Sequence, residues 1–342
     1  MKISSMQHHF ILTMAQIIWV LAILLPFNLM AQKPEKSTAA KSHKPVPTVR
    51  FDSGSNALKI PLEINNNIIL LRVSVNNSKP LKFIFDTAAS VSIINSRQAT
   101  ELGLKPKEQV TGNATGGKFQ ASLIEGVSLG VQGAEVSDQL IASATLPAPP
   151  GFEYDGIIGY DFIKEFVVEI DYQNKIMNLY NPRTYAYSGK GEVIPLLLAG
   201  RRTPLIRTRI TFAGRTATVI ANLEVDTGAD GTIVINNPFF RKYKLLATLT
   251  KTAQASGVGA GGEEKRLVSR VKTVRLGKLI ISNPPVAFSI DAEESGEGEN
   301  NNGIIGGEIF RRFKVILDYY HKQMILEPNK GFGEPYEIET DG

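Results

Sequence analysis

Leu223-Glu224-Val225-Asp226-Thr227-Gly228-Ala229-Asp230 repeats, 140 residues on (226 − 86), the pattern of Phe83-Ile84-Phe85-Asp86-Thr87-Ala88-Ala89-Ser90. A second pair of motifs follows. Gly156-Ile157-Ile158-Gly159 returns as Gly303-Ile304-Ile305-Gly306, an offset of 147 (303 − 156). At that offset Phe166 matches Phe313, and both halves end in Asp-Tyr-x-x-Lys-x-Met-x-Leu, from Asp171 to Leu179 and from Asp318 to Leu326. The gap from the Asp to the Gly-Ile-Ile-Gly is 70 residues (156 − 86) in the first half and 77 (303 − 226) in the second. A lone Asp-Thr-Gly is common, whereas the doubled arrangement is specific. Two copies are too few for a solenoid and fit two related lobes about a pseudo-twofold axis.

Each copy sets one Asp after a short apolar run and before small residues. Small residues let the backbone turn tightly and aim amide N–H groups at the carboxylate. A twofold axis between the copies brings Asp86 and Asp226 together. Two carboxylates in contact cannot both ionise, so they share a proton and titrate as a pair. The ionised member takes a proton from water, and the protonated member polarises a carbonyl. That chemistry hydrolyses an amide without a cofactor, a metal or a covalent intermediate. It also suits the composition. The 342-residue chain has no cysteine and four histidines, His8, His9, His43 and His321. Thiol catalysis, disulfides and cysteine zinc sites are excluded, and a multi-histidine metal site nearly so. Lys+Arg 38 against Asp+Glu 33 gives a net charge of +5 without a dense basic stripe, which argues against a nucleic-acid partner.

These motifs resemble the retropepsin-like branch of the aspartic proteases, in the exported bacterial form with both lobes in one chain. The resemblance runs from about Ile60 to Leu326. It implies an all-β fold of two retropepsin-like β-barrel lobes with few short helices, Asp86 and Asp226 as the catalytic pair, and a peptide or protein substrate. It implies dyad support from Thr87, Ala88, Thr227 and Gly228, with the two threonines locking the lobes together. Ser90 and Asp230 then meet substrate, as do glycines of two closing loops: Gly116 and Gly117 in the first half, Gly259, Gly261 and Gly262 in the second. The pattern departs at Ala88, where the family has glycine, and at Tyr160 and Gly307, where retropepsins often carry Arg. Ala88 motivates a second reading, a peptide-binding protein that keeps the cleft and has lost catalysis. Ala89 and Ala229 stand where pepsins place a hydroxyl, so the expected pH optimum is acidic but higher than a digestive pepsin's.

The expected organisation is a signal peptide over 1–31, a tether over 32–50, lobes over 51–182 and 205–330, a connector over 183–204 and a tail over 331–342. The apolar run Ile17–Leu25, broken by Pro26 and followed by Ala31, has signal-peptide length. An uncleaved anchor is the alternative, and only then does a membrane enter. Export without cysteine points to the periplasm or the medium, and both aspartates in cis point to a monomer. Strands are expected at Ile60–Ile64, Ile68–Val75, Leu81–Phe85 and Val91–Ile94. Short helices are expected after Ser96 and at Asn237-Pro238, each of these being read as the cap. Gly-rich Gly257–Gly262 lacks the Gly-Lys-Ser/Thr of a phosphate loop. The acidic run after Asp291 lacks calcium-loop spacing and reads as a solvated loop.

Overall fold

In the computed structural model, the described residues are 23–24, 46–114, 117–148, 151–198, 202–249, 252–259, 262–290 and 300–336. Most of the expected signal peptide and tether, Gly116, Gly261, the acidic run and the end of the tail lie outside them.

The Gly-Ile-Ile motifs explain how each lobe is laid out. Gly156–Ile158 slots between Leu81–Phe85, in parallel, and Ile93–Asn95, antiparallel. Gly303–Ile305 does the same between Val219–Val225 and Ile233–Ile235. The slot is too narrow for a side chain at its entrance. A Cβ on Gly156 would lie 2.3 Å from the Phe83 ring, and one on Gly303 only 1.9 Å from the Val234 carbonyl oxygen. The strand carrying each Asp is thereby clamped where it ends: Asp86 N–H donates to the Ile158 carbonyl and Asp226 N–H to that of Ile305, both at 3.0 Å.

Around this slot the lobes share one strand order from the hairpin strands as far as Ile68–Val75 and Leu205–Thr211, and beyond these they differ. The first lobe runs Glu108–Ala114, Gly117–Val131, Ala134–Ala144, Ile93–Asn95, Gly156–Ile158, Leu81–Phe85, Ile68–Val75, Glu63–Asn65. Ser74 also pairs with Gly130, curling the sheet back on itself, and Ile23–Leu24 pairs with Asn113 and Ala114 at its edge. The second lobe runs Ala253–Gly259, Gly262–Arg270, Pro285–Ser289, Ile233–Ile235, Gly303–Ile305, Val219–Val225, Leu205–Thr211, Thr273–Leu276, Leu279–Ser282.

A third sheet joins the lobes. Its six antiparallel strands run Glu192–Pro195, Gln323–Pro328, Phe313–Asp318, Val167–Asp171, Ile176–Tyr180, Asn56–Pro61. At its centre Glu169 pairs with Ile316, its own counterpart at the 147-residue offset (316 − 169), so the pseudo-twofold axis passes through that pair. Val168, Ile170, Val315 and Leu317 on one face of this sheet enter the main hydrophobic core, which runs through both lobes. Full burial of each such side chain contributes about 1.5–3 kcal/mol, so the lobes are one folding unit at their base. The repeated Asp-Tyr steps end these strands. Asp171 accepts from Asn174 N–H at 2.9 Å, Asp318 accepts from His321 N–H at 2.9 Å, and Lys175 and Lys322 take the left-handed turn positions at φ 53° and 56°.

Four boundaries differ from the sequence reading. The first lobe begins at Thr48, because Thr48–Phe51 pairs with Ala134–Ser137 and Val49 packs on the core. The expected connector contributes the edge strand Glu192–Pro195. The helix caps lie one residue early: Asn95 Oδ1 accepts from Arg97 N–H, and Asn236 Oδ1 from Phe239 N–H, both at 3.1 Å. Residues 331–336, read as tail, dock on the second lobe. They do so because buried Arg312 donates to the carbonyls of Gly331 (3.1 Å) and Pro335 (3.2 Å) and stacks on the Tyr336 ring at 3.9 Å.

Candidate active site

Asp86 and Asp226 both end their strands at the junction of the lobes and both are buried. Each turn folds its amides back as the small residues allow: Ala88 N–H donates to Asp86 Oδ1 at 2.8 Å, and Gly228 N–H to Asp226 Oδ1 at 2.9 Å. Beneath them the threonines cross between lobes. Thr87 N–H donates to Thr227 Oγ1 and Thr227 N–H to Thr87 Oγ1, each at 3.1 Å. The hydroxyls then donate across the junction, Thr87 to the Val225 carbonyl at 2.5 Å and Thr227 to the Phe85 carbonyl at 2.8 Å. All four bonds are buried, where breaking one strands a polar group at a cost of about 1–3 kcal/mol. The aspartates are therefore held in register by the residue that follows each.

The Asp226 turn abuts Asp86, and the two carboxyls are close enough for the charge of one to act on the other. Two carboxyl oxygens bond only when one carries a proton. Burial raises both groups above the ordinary carboxylate range. Their mutual repulsion and the charge of nearby Glu224 add to this at Asp226, and Glu224 adds to it at Asp86 against the pull of the Ala88 amide. The pair therefore holds one proton well above the pH at which a solvated Asp loses it, and it titrates as a unit.

Ala88 and Gly228 occupy equivalent places, and neither has a positive φ. Glycine is thus not required there for backbone conformation. It is required for space: a Cβ on Gly228 would meet Asp86 Cγ at 2.6 Å. Ala88, at the equivalent place in the first lobe, carries the methyl that Gly228 lacks.

Two long hairpins rise over the site. Glu108–Ala114 pairs with the strand from Gly117, and Ala253–Gly259 with that from Gly262; each leaves two residues at its tip. Gly117 (φ 136°) and Gly262 (φ 131°) open the return strands in the same conformation, which a side chain would strain. Gly117, Gly259 and Gly262 thus stand beside the tips, and Gly116 and Gly261 lie outside the described residues.

Ser90 and Asp230 flank the pair, both buried. Burial pushes the Asp230 carboxyl up to about 8, against the attraction of Arg266. The charge comes not from the position after the second glycine but from the hairpin strand Gly262–Arg270. Arg266 is itself held by Glu264, whose Oε2 accepts from Nε at 3.0 Å and Nη2 at 2.6 Å. Gly307, where the arginine was expected, leaves room for the other lobe. A Cβ there would meet the Asn67 carbonyl oxygen at 2.5 Å. Asn67 sits in a left-handed turn at φ 65° and donates to the Asp230 carbonyl at 2.8 Å and to Glu308 Oε2 at 3.0 Å.

Sequence reasoning missed Asn67, Arg266 and Glu224. Only Glu224 carried a local signal, a charge inside an apolar strand opposite Ile84 of the repeat. Among the described residues, no cluster of three or more metal-ligating side chains occurs.

Two related β lobes that bring paired carboxyls together over crossed threonines define the aspartic-protease architecture. Residues 71–162 and 209–309 match the aspartyl protease family, and the chain belongs to it. Among solved structures, the aspartic proteinase from Irpex lacteus superposes with a TM-score of 0.55 at 14% identity, covering 82% of this chain and 99% of that one. No curated protein matches in sequence.

Proposed function

We propose that the chain is an exported aspartic endopeptidase that hydrolyses peptide bonds with a water held between Asp86 and Asp226. The observation that supports this reading is the reciprocal threonine lock, which holds the turns carrying two buried carboxyls against each other at the lobe junction. The ionised carboxyl takes a proton from the water as it attacks the peptide carbonyl. The protonated carboxyl donates to the carbonyl oxygen as charge develops there. The second step returns a proton to the leaving amine. An extended peptide lying under the hairpins pairs with their strands through backbone hydrogen bonds. Ser90 and Asp230 meet it on either side of the pair.

The reading is tested by cleavage of a mixed peptide library between pH 3 and 8 by the chain from Gln32 onward. The expected result is cleavage that both Asp86→Asn and Asp226→Asn abolish. Unchanged cleavage by either variant contradicts it. Export rests on the uncharged apolar run before Pro26 and on the small Ala31 after it. It predicts a mature N-terminus near Gln32 in the periplasm or medium, which N-terminal sequencing checks.

One observation favours a second reading, a peptide-binding protein without catalysis. Ala88 places a methyl where the opposite lobe has room. If the parent is inactive and Ala88→Gly cleaves, this reading holds.

A further inference from the structure

The interlobe sheet has an outer face as well as the one that enters the core. Side chains alternate along its strands, so Val168 and Ile170 join the core while Glu169 between them points the other way. On that outer face Val167, Ile316 and Ile325 form a small apolar cluster, and Tyr180, Tyr185 and Tyr187 pack against it with their rings only partly buried. Between the sheet and residues 184–189 of the connector lies a cavity of about 450 Å³. Glu169, Tyr180 and Glu327 line it from the sheet, Tyr185 and Tyr187 from the connector, and Asn56 from the edge strand. That volume is within the usual range of a small-ligand site. None of these residues belongs to the catalytic pair, its threonine lock or the hairpins.

The rings gather around one carboxylate. The Tyr180 and Tyr185 rings meet with centroids 5.0 Å apart, and the Tyr187 hydroxyl donates to Glu327 Oε1 at 2.7 Å. Burial raises all three phenols above their ordinary range. The bond to Glu327 adds to this at Tyr187, and the charge of Glu169 adds to it at all three. The two carboxylates are matched differently. Lys314 Nζ lies 3.6 Å from Glu327 Oε2. Glu169 is half-buried, and no Lys, Arg or His pairs with it among the described residues. Its Oε1 accepts from Asn178 Nδ2 at 2.7 Å, and Asn178 Oδ1 accepts in turn from Lys59 N–H at 2.7 Å. The Glu169 carboxylate is thus held in place with its charge facing aromatic rings.

We propose that this cavity binds an organic cation of the arginine or lysine kind, its charged head set against Glu169 and the tyrosine rings. Ring faces attract a cation through their negative quadrupole, and the attraction grows where water is partly excluded. A carboxylate already oriented by Asn178 adds to it without a further ordering cost. The site lies outside the catalytic machinery and its occupancy does not depend on hydrolysis.

Calorimetric titration of the whole chain with N-acetyl-arginine methylamide and with its neutral isostere, N-acetyl-citrulline methylamide, tests this. The expected preference for the cation is at least about tenfold in Kd, shrinking towards one in Glu169→Gln and falling at least about threefold in Tyr185→Leu. Gln keeps the shape and can still accept from Asn178; Leu keeps apolar packing and removes the ring. Thermal unfolding checks that each variant is folded, and either folded variant suffices for the test. A pentapeptide with one arginine among alanines separates the sources of the cation. Tighter binding of the peptide than of the amide assigns the site to a polypeptide, and equal or weaker binding assigns it to a small free cation; both support the proposal. Equal binding of the arginine and citrulline amides, no binding of either at about 10 mM, or a preference unchanged in a folded variant overturns it.

Discussion

The two lobes share a Gly-Ile-Ile slot, a threonine lock and most of a strand order, yet they differ at several positions around the paired carboxyls. The first lobe presents Ile84, Ala88, Ser90 and Ala121; the second presents Glu224, Gly228, Asp230 and Arg266. What stayed symmetric is what holds the carboxyls together. What diverged is what surrounds them. A doubled fold in one chain can do this because each half mutates separately, whereas a dimer of identical chains cannot make its two walls differ.

Removing the symmetric part should have the largest effect. Asp86→Asn and Asp226→Asn should each lower kcat/KM by about three orders of magnitude or more, since each carboxyl has a role the other cannot fill. A large loss in one variant and a small loss in the other would show that the lobes are not equivalent in chemistry.

Copying one lobe's spacing onto the other comes next. Gly228→Ala sets a methyl against Asp86 and should cost about a hundredfold in kcat/KM by displacing a reacting group. Ala88→Gly should raise it, by up to about tenfold. Equal effects of the two changes would mean that the methyl at Ala88 is already accommodated.

The lock itself can be weighed by stability. Thr87→Val and Thr227→Val each leave buried carbonyl and amide groups unpaired and should each cost about 2–4 kcal/mol in denaturant unfolding. Similar losses would sharpen the case for equivalence, and a loss from one alone would break it.

The smallest effect concerns Asp230 and Ser90. A carboxyl raised to about 8 in the folded state and near 3.8 unfolded is protonated when folded and charged when unfolded between those values. Stability contributed by its neutral form is therefore present below about pH 4 and is lost as pH rises towards 8. Asp230→Asn should melt higher than the parent at pH 8, with the gap closing towards pH 4. Ser90→Ala should show no such pH dependence.

Much of this was legible beforehand. The doubled Asp-Thr and Gly-Ile-Ile-Gly spacing already placed Asp86 against Asp226 and Thr87 against Thr227. The strands Ile68–Val75 and Leu81–Phe85 lie where their apolar runs put them. The interlobe sheet was not legible, although both Asp-Tyr-x-x-Lys-x-Met-x-Leu repeats belong to it. Pairing of Glu169 with Ile316 depends on how the lobes meet, which no local pattern encodes. The caps at Asn95 and Asn236 were misplaced by one residue because Ser96 and Asn237 beside them can also cap. Arg266 and Asn67 reach Asp230 from 36 and 163 residues away in sequence (266 − 230 and 230 − 67), across a hairpin and across the lobe junction. Ala88 stood out in the sequence as a departure from glycine, and the structure shows at the equivalent Gly228 that glycine there serves room beside the opposite carboxyl and not a positive φ.

The shared proton is the central claim, and carboxyl-carbon NMR of aspartate-labelled protein tests it most directly. Resonances that vanish in Asp86→Asn and Asp226→Asn identify the pair. The expected titration is two coupled steps, with one proton retained well above the pH at which exposed aspartates have ionised. Two independent titrations near the ordinary value of 3.8 would contradict it, and with it the contact between the lobes on which the proposed chemistry stands.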